Sequence, residues 1–238
     1  MSWQNIYISL TDISNSYKEK YGLDSDYQAA QKLIYSNPEV NTSLKMAISW
    51  LKIKPNSLIL DIGVNNGYEL QLLKETYSDE LFSTLKIIGV DLIEDVLKVA
   101  AGKFDSEHDY KFIKGDIREF KGVDVLTGEP LIIEDKSIDV VIALTSLQST
   151  SLVRDFEMFI EKLANKLKKE SQLLIGTPNF HMSSSYKVVS GLFDAANNSV
   201  NENFALEISE RLIKILNAHA FEHKQTGEII IFDYFKRI

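Results

Sequence analysis

Three aspartates and one glycine-containing loop are the residues of this chain whose types and spacing suggest ligand chemistry. Asp61 ends a short apolar run, and Gly63 and Gly67 follow it in a loop. Because glycine has no Cβ, a ligand can approach the backbone there, and the amides that begin a following helix bind polar or anionic groups. The Asp61 carboxylate can accept a hydrogen bond from a ligand ammonium, directly or through water. Taken alone, such a loop occurs in many nucleotide-binding folds and sometimes only makes a tight turn.

Two further aspartates follow later apolar runs in the same manner. Asp91 ends the run that begins at Leu85, where it is placed to accept hydrogen bonds from both hydroxyls of a ribose. Asp116 follows the run 110–114, where it is placed to hold the amino group of an adenine. Both also have a purely structural interpretation, since aspartates commonly cap helices and form turns. The sequence therefore predicts a row of three carboxylate acceptors along one edge of a sheet.

These acidic residues need strands whose ends lie side by side. Short, continuously apolar runs bounded by turn residues are typical of parallel strands covered on both faces, and here they alternate with stretches of helical spacing. The predicted strands span residues 57–62, 85–91, 110–114, 138–144 and 172–176, and the predicted helices 39–51, 68–77, 93–100 and 152–167. Such alternation specifies an α/β fold with a doubly wound, mostly parallel sheet, in which ligands bind at the carboxyl ends of the strands.

The last part of the chain departs from this alternation. Residues 205–218 have helical spacing, and two β-rich runs, 221–225 and 228–235, are joined by Thr226-Gly227. A turn that contains glycine between two such runs is typical of a β-hairpin. The predicted sheet therefore ends in a hairpin.

The length of 238 residues suits one large domain, and we expect a single domain over residues 1–238. Within it, the polar segment 1–40 is interpreted as an N-terminal lid or cap. The polar segment 181–204, between the fifth strand and the last helix, is interpreted as an insertion on the substrate side.

Composition excludes several classes of function. The chain has no cysteine, which excludes disulfides, thiolate zinc sites and cysteine nucleophiles. Its formal net charge of −8 is the opposite of what a protein that neutralises many phosphates usually carries. The N-terminus lacks the basic and apolar regions of a secretory signal, and no apolar run is long enough to span a membrane. We therefore expect a cytoplasmic protein with no membrane span.

Taken together and in order, the motifs resemble those of the class I S-adenosylmethionine-dependent methyltransferases. The runs that carry the resemblance cover about residues 40–180 and are LILDIGVNNGYEL, IIGVDL, KGDI, SIDVVIALTSLQ and LLIGTPN. The resemblance implies a Rossmann-like methyltransferase fold, S-adenosylmethionine as the cofactor and transfer of its methyl group to an acceptor. The TPN run is similar to a broad group of small-molecule methyltransferases.

The resemblance also implies a set of cofactor-binding residues. Those around the methionine part are Asp61, Gly63, Asn65 and Gly67, with Leu144 on the floor of the site; Asp91 binds the ribose, Leu92 lies against the adenine, and Asp116 and Ile117 flank it. A similar N-terminal segment often closes over the cofactor, which makes Tyr17 or Tyr21 a candidate to cover it.

Three features depart from the pattern of the family. Asn65 stands where the family usually has a middle glycine, although asparagine tolerates unusual backbone angles better than most residues. Lys169-Glu170-Ser171 replaces the usual Pro-Gly-Gly turn, and residues 118–136 form a longer connection than usual. These departures concern the subfamily more than the fold.

His181 is the candidate catalytic base. Because S-adenosylmethionine is already an activated methyl donor, the enzyme mainly has to align the acceptor with the methyl group. An oxygen acceptor usually also needs a base. His181 lies just beyond the fifth strand, near the expected mouth of the site; the alternative is a loop histidine without a catalytic task. The four histidines show no metal-ligand spacing, so we expect no metal.

The acceptor is predicted to be a small molecule, with no nucleic-acid partner. Relatives that methylate nucleic-acid bases carry an Asn-Pro-Pro-Tyr-like run where this chain has residues 143–146, ALTS. Two alternatives stay open: a catalytically silent S-adenosylmethionine-binding regulator or partner, suggested by Asn65, and an NAD-type oxidoreductase. The second is disfavoured because the spacing of Gly63 and Gly67 includes no continuous G-x-G-x-x-G. The oligomeric state is left open.

Overall fold

The computed structural model describes residues 38–104, 108–144, 146, 156–178, 204–226 and 230–238. Nearly all of the predicted lid (1–40) and of the predicted insertion (181–204) lies outside these ranges. Within them, no helix combines the length and the apolar character that crossing a membrane requires.

The described strands form one nine-stranded sheet. The strands are β1 (Leu58–Ile62), β2 (Lys86–Asp91), β3 (Tyr110–Lys114), β4 (Lys121–Asp124), β5 (Pro130–Ile132), β6 (Ile138–Leu144), β7 (Leu167–Pro178), β8 (Phe221–Thr226) and β9 (Ile230–Arg237). The helices are α1 (Pro38–Ile48), α2 (Tyr68–Thr76), α3 (Asp79–Ser83), α4 (Glu94–Lys103), α5 (Phe156–Lys166) and α6 (Phe204–Ala218), with a 3-10 turn at Ile117–Glu119.

The strand order, β5-β4-β3-β2-β1-β6-β7-β9-β8, is that of a doubly wound sheet. From β1 the chain moves outward through β2 and β3, then returns to place β6 on the other side of β1. All of these neighbours, and β6 with β7, are parallel. The last two strands form an antiparallel hairpin that joins the sheet through β9. The predicted fold class, including the terminal hairpin, is confirmed.

Each face of the sheet is covered by helices, which explains the continuously apolar strands. Successive side chains of a strand point to opposite faces. Ile59 packs into the core formed with α1, α2 and α4, and its neighbour Leu60 into the core formed with α5 and α6. Both side chains are fully buried. Burial of an aliphatic side chain of this size stabilises the fold by about 1.5–3 kcal/mol.

The long connection 118–136 contains structure that the sequence pattern did not predict. It forms β4 and β5, which extend the sheet beyond β3 as an antiparallel hairpin. Neither strand has the apolar signature of a covered strand, because β5 lies at the edge and has two exposed residues among its three. Pro130 is compatible with that edge position, where its missing amide costs no ladder hydrogen bond.

Strand β7 is longer than the predicted strand 172–176 because it begins directly after α5. Its pairing with β6 shifts between Ile138, opposite Leu167, and Val140, opposite Gln172. The extra residues of β7 form a bulge in which Glu170 has a φ of 63°. Residues 169–171, which replace the family's Pro-Gly-Gly turn, therefore lie within the bulged strand β7.

Candidate functional site

Parallel pairing brings the predicted acidic residues to one edge of the sheet. Ile62, after Asp61, lies opposite Val90, before Asp91, so β1 and β2 end together. Lys114, two residues before Asp116, lies opposite Asp91. Asp61 and Asp91 therefore lie at the carboxyl ends of β1 and β2, and Asp116 follows β3, as predicted.

The loop between β1 and α2 bends through three residues in the left-handed region. Gly63, Asn65 and Gly67 have φ angles of 74°, 49° and 78°. Asparagine is among the few side chains that adopt such angles readily, which explains how Asn65 replaces a glycine. The loop is held against β2 by the amides of Gly63 and Val64, which donate to the Val90 carbonyl over 2.8 and 3.2 Å.

Replacing Gly63 by alanine is expected to destabilise the protein by about 1–3 kcal/mol, because its φ is strained for a residue with a Cβ. The new Cβ would also lie 2.5 Å from Ser146 Cβ. Urea denaturation with a linear extrapolation measures the change. The matched control is Gly102→Ala in α4, where nothing lies within 4 Å of the new Cβ. That variant is expected to be more stable than the wild type by up to about 1 kcal/mol, because alanine has the higher helix propensity. Equal urea midpoints for the two variants would contradict the prediction.

Asp61 is a buried carboxylate at the end of β1. The residue is 1% exposed, and among the described residues neither of its carboxylate oxygens has a partner. Burial raises the pKa of this carboxyl well above its usual range, and the nearby Glu69 and Asp91 raise it further. An unsatisfied buried acceptor is costly, so a cationic donor placed here would be bound favourably. This is the property that an ammonium-bearing ligand requires of the site.

Asp91 links the loop to the start of α4. Its Oδ2 accepts from the Asn65 amide over 3.1 Å, and its Oδ1 from the Ile93 amide over 3.0 Å. Burial raises the pKa of Asp91, while these backbone hydrogen bonds and one from Leu92 oppose that effect. Each oxygen still has acceptor capacity, since a carboxylate offers about four lone-pair sites. The capping interpretation and the ligand interpretation of Asp91 are therefore compatible.

Asp116 is engaged more fully by protein groups. Its Oδ1 accepts from the Arg118 amide, and both oxygens accept from the guanidinium, with Nη2 2.5 Å from Oδ2. Ile117 is 8% exposed and packs into the core beside α5 and α6. An adenine amino group would compete with Arg118 for Asp116, and the adenine contacts of these two residues stay predictions.

The remaining predicted residues lie around the same strand ends. Leu144 ends β6 and is buried on the same face as Asp61, in the core beside α1, α2 and α4. Leu92 is half-buried in the turn after β2. Tyr17, Tyr21 and His181 lie outside the described residues, so their roles stay predictions.

Two residues at this edge were missed by the sequence reasoning. Glu69, in the first turn of α2, is 2% exposed. From the sequence, a single glutamate in a helix is normally expected to be exposed to solvent. Ser146 lies against Gly63, and its buried hydroxyl has no partner among the described residues. Periodicity could not identify either residue because their burial depends on how the loop and α2 fold over the strands.

Comparison with known proteins agrees with this fold. A family model described as a methyltransferase domain matches residues 53–229. No curated protein matches the sequence significantly.

Several solved structures share the fold at low sequence identity. One is a chain from the complex between the Haloferax volcanii Trm112 methyltransferase activator and a methyltransferase, 15% identical over 89% of this chain and 94% of that chain, with a TM-score of 0.60. The plantazolicin methyltransferase BpumL, with a triazolic desmethylPZN analog and SAH, is 16% identical over 94% and 96%, with a TM-score of 0.63. The CurJ carbon methyltransferase is 14% identical over 92% of this chain and 60% of that chain, with a TM-score of 0.65.

The matched residues, 53–229, cover most of the chain. The resemblance inferred from the ordered motifs is therefore confirmed. The chain belongs to the methyltransferase-domain family, as a class I S-adenosylmethionine-dependent methyltransferase with the Rossmann-like fold.

Proposed function

We propose that this chain transfers the methyl group of S-adenosylmethionine to a small-molecule acceptor. The observation that supports the proposal most directly is Asp61, a fully buried carboxylate whose oxygens have no partner among the described residues. It lies next to the carboxyl end of β1, where the chain enters the left-handed loop through Gly63, Asn65 and Gly67. The ammonium of a methionine moiety carries a positive charge and N–H donors, so it can pair with this carboxylate.

We propose that the residues at these strand ends divide the parts of the cofactor among them. In this proposal Asp61 and the loop from Gly63 through Asn65 to Gly67 hold the methionine part, above Leu144. Asp91 accepts from the ribose hydroxyls, and Leu92, Asp116 and Ile117 border the adenine. The bound cofactor supplies an electrophilic methyl group on a positively charged sulfur. The protein's task is to hold that methyl in line with the acceptor nucleophile and to keep water out.

The choice of a small-molecule acceptor rests on indirect support. The chain carries a formal net charge of −8, which disfavours a polyanionic acceptor. Among the solved structures that share its fold are a plantazolicin methyltransferase bound to a triazolic analog and two carbon methyltransferases, CurJ and DszA. We propose that residues 1–40 and 181–204 form the lid and the acceptor pocket of a single domain. His181 is the proposed base where the acceptor is an oxygen nucleophile.

Isothermal titration with S-adenosylmethionine and with its demethylated product tests the cofactor part of the proposal. Binding of both is expected, and binding of neither at millimolar concentration would overturn it. A parallel fluorescence titration with the reduced nicotinamide dinucleotide distinguishes the oxidoreductase alternative from the methyltransferase. We expect it to show no binding.

A panel of small-molecule acceptors, followed by mass spectrometry, tests the transfer. A mass gain of one methyl group on an acceptor supports the proposal, and loss of that product in His181→Ala at unchanged cofactor affinity supports the base. Cofactor binding without transfer to any of a broad panel would instead favour the catalytically silent binder that Asn65 suggests.

A further inference from the structure

Ser146 lies against the glycine-containing loop at the carboxyl edge of the sheet. It follows Leu144, the last residue of β6, by two residues. A Cβ added to Gly63 would lie 2.5 Å from the Cβ of Ser146 and 3.3 Å from its Oγ. The absence of a side chain at Gly63 therefore allows Ser146 to approach the backbone of the loop closely.

The pairing of β1 with β6 brings Asp61 to the same edge as this serine. The two strands are parallel neighbours, and Asp61 lies opposite Ile142. Both strands therefore leave the sheet on the same side, where Gly63, two residues after Asp61, lies against Ser146. Both polar groups are thus close to Gly63, Asp61 along the chain and Ser146 across the sheet.

Both groups are buried, and neither is satisfied within the described part of the chain. The Oγ of Ser146 and both carboxylate oxygens of Asp61 have no hydrogen-bond partner there, so the two residues do not pair with each other. Most buried polar groups in proteins are hydrogen-bonded. A free hydroxyl and a free carboxylate beside one loop therefore point to a ligand that brings an acceptor for the first and a donor for the second.

We propose that the Ser146 hydroxyl binds the carboxylate of the cofactor's methionine part, while Asp61 binds its ammonium. The inference rests on the proposed function, since it assigns one more residue to the same ligand. The ammonium and the carboxylate of an amino acid are bonded to one carbon atom. Residues that bind them must therefore lie close together, as two neighbours of Gly63 do. A hydroxyl that donates to a carboxylate forms a charge-assisted hydrogen bond.

The consequence is a site that selects a ligand with both charged groups. A ligand that carries only the ammonium satisfies Asp61 but leaves the buried Ser146 hydroxyl without an acceptor, which is unfavourable. A ligand that carries both groups satisfies both residues. Removal of the hydroxyl from the protein and removal of the carboxylate from the ligand therefore abolish the same interaction, and their effects on affinity are not additive.

Ser146→Ala removes the hydroxyl and keeps the rest of the side chain. Isothermal titration is expected to show about tenfold weaker binding of S-adenosylmethionine and of its demethylated product alike, since both carry the carboxylate. Decarboxylated S-adenosylmethionine keeps the ammonium and the sulfonium but has no carboxylate. Its affinity is expected to change by less than about twofold in the same variant, because the interaction is already absent.

Ser171→Ala is the matched control. Ser171 is 2% exposed, and its hydroxyl also has no partner among the described residues. It lies in the bulged part of β7, just before Gln172, which pairs with Val140 near the start of β6. This variant is expected to leave the affinities for all three ligands unchanged. Asp61→Asn is expected to weaken all three, since each carries the ammonium, and unliganded melting temperatures establish that every variant is folded.

The outcomes separate the two proposals. If Ser146→Ala weakened the decarboxylated ligand as much as S-adenosylmethionine, or left all three affinities unchanged, Ser146 would not act through the carboxylate. Weaker binding of S-adenosylmethionine with unchanged binding of the product would also overturn the assignment, because it would place the hydroxyl at the sulfonium end. A wild-type protein that binds neither S-adenosylmethionine nor its product would overturn the proposed function itself.

Discussion

Replacing Asp61 by asparagine is expected to weaken binding of S-adenosylmethionine by about 10–100-fold, the loss that accompanies removal of a charge-assisted hydrogen bond. Asparagine has nearly the same shape as aspartate but no charge with which to hold an ammonium. The carboxylate it replaces is 1% exposed and has no partner among the described residues, so the ligand is the group that would satisfy it. Isothermal titration measures the change in affinity.

The same variant is expected to change how stability depends on pH. In the cofactor-free protein, burial, Glu69 and Asp91 raise the pKa of Asp61 well above its usual range. The folded state therefore holds this proton more tightly than the unfolded state does. The resulting stability is fully present below the unfolded pKa and is lost as the pH rises through the raised pKa. Asp61→Asn has no such group, so its melting temperature should fall less over that range.

Above the raised pKa, an unsatisfied buried charge costs about 1–3 kcal/mol. At about 2–4 °C per kcal/mol for a protein of this size, Asp61→Asn should melt several degrees above the wild type there. Affinity moves in the opposite direction, because the ammonium requires the charged carboxylate. Wild-type affinity should therefore rise with pH through the same range, whereas that of the variant stays flat.

Differential scanning calorimetry and titration at matched pH values test both trends. Asp109→Asn is the control for a charge change at an exposed position, since Asp109 is exposed and pairs with Lys86 at 3.5 Å. If Asp61→Asn bound the cofactor as tightly as the wild type does, the assignment of Asp61 to the ammonium would be wrong.

Asp91→Ala is expected to have a comparably large effect, with loss of both affinity and stability. The Asp91 carboxylate holds the Asn65 amide from the loop and the Ile93 amide before α4. Its removal leaves these two donors without their acceptor and removes the proposed ribose contact. We expect about 100-fold weaker cofactor binding and about 1–3 kcal/mol lower stability, measured by titration and by urea denaturation.

The β4–β5 hairpin provides a control for the structural part of this effect. Asp124 is also buried, and its Oδ1 accepts from the amides of Leu126 and Thr127. Asp124→Ala is expected to lower stability by a similar amount and to leave cofactor affinity unchanged. A similar loss of affinity in both variants would mean that Asp91 acts only by supporting the fold.

The central architecture was predictable because covered parallel strands carry a strong local signal. The strands β1, β2, β3 and β6 were predicted to within one residue, and the row of aspartates at their ends follows from parallel pairing. The edge hairpin β4–β5 was not predictable, because its short strands have exposed side chains and are defined by pairing with β3. Edge strands lack the apolar pattern on which sequence reasoning depends.

By itself, the sequence determined the fold class, the glycine-containing loop and which aspartates end adjacent strands, since these depend on local residue order and hydrophobic patterning. Only the tertiary structure decided what surrounds each carboxylate. It shows that Asp61 is buried without a partner among the described residues, that Asp91 binds two backbone amides and that Arg118 engages Asp116. It also places Glu69 in the interior. The physical reason is that burial and hydrogen bonding depend on which distant segments pack together, and residue order along the chain does not record that.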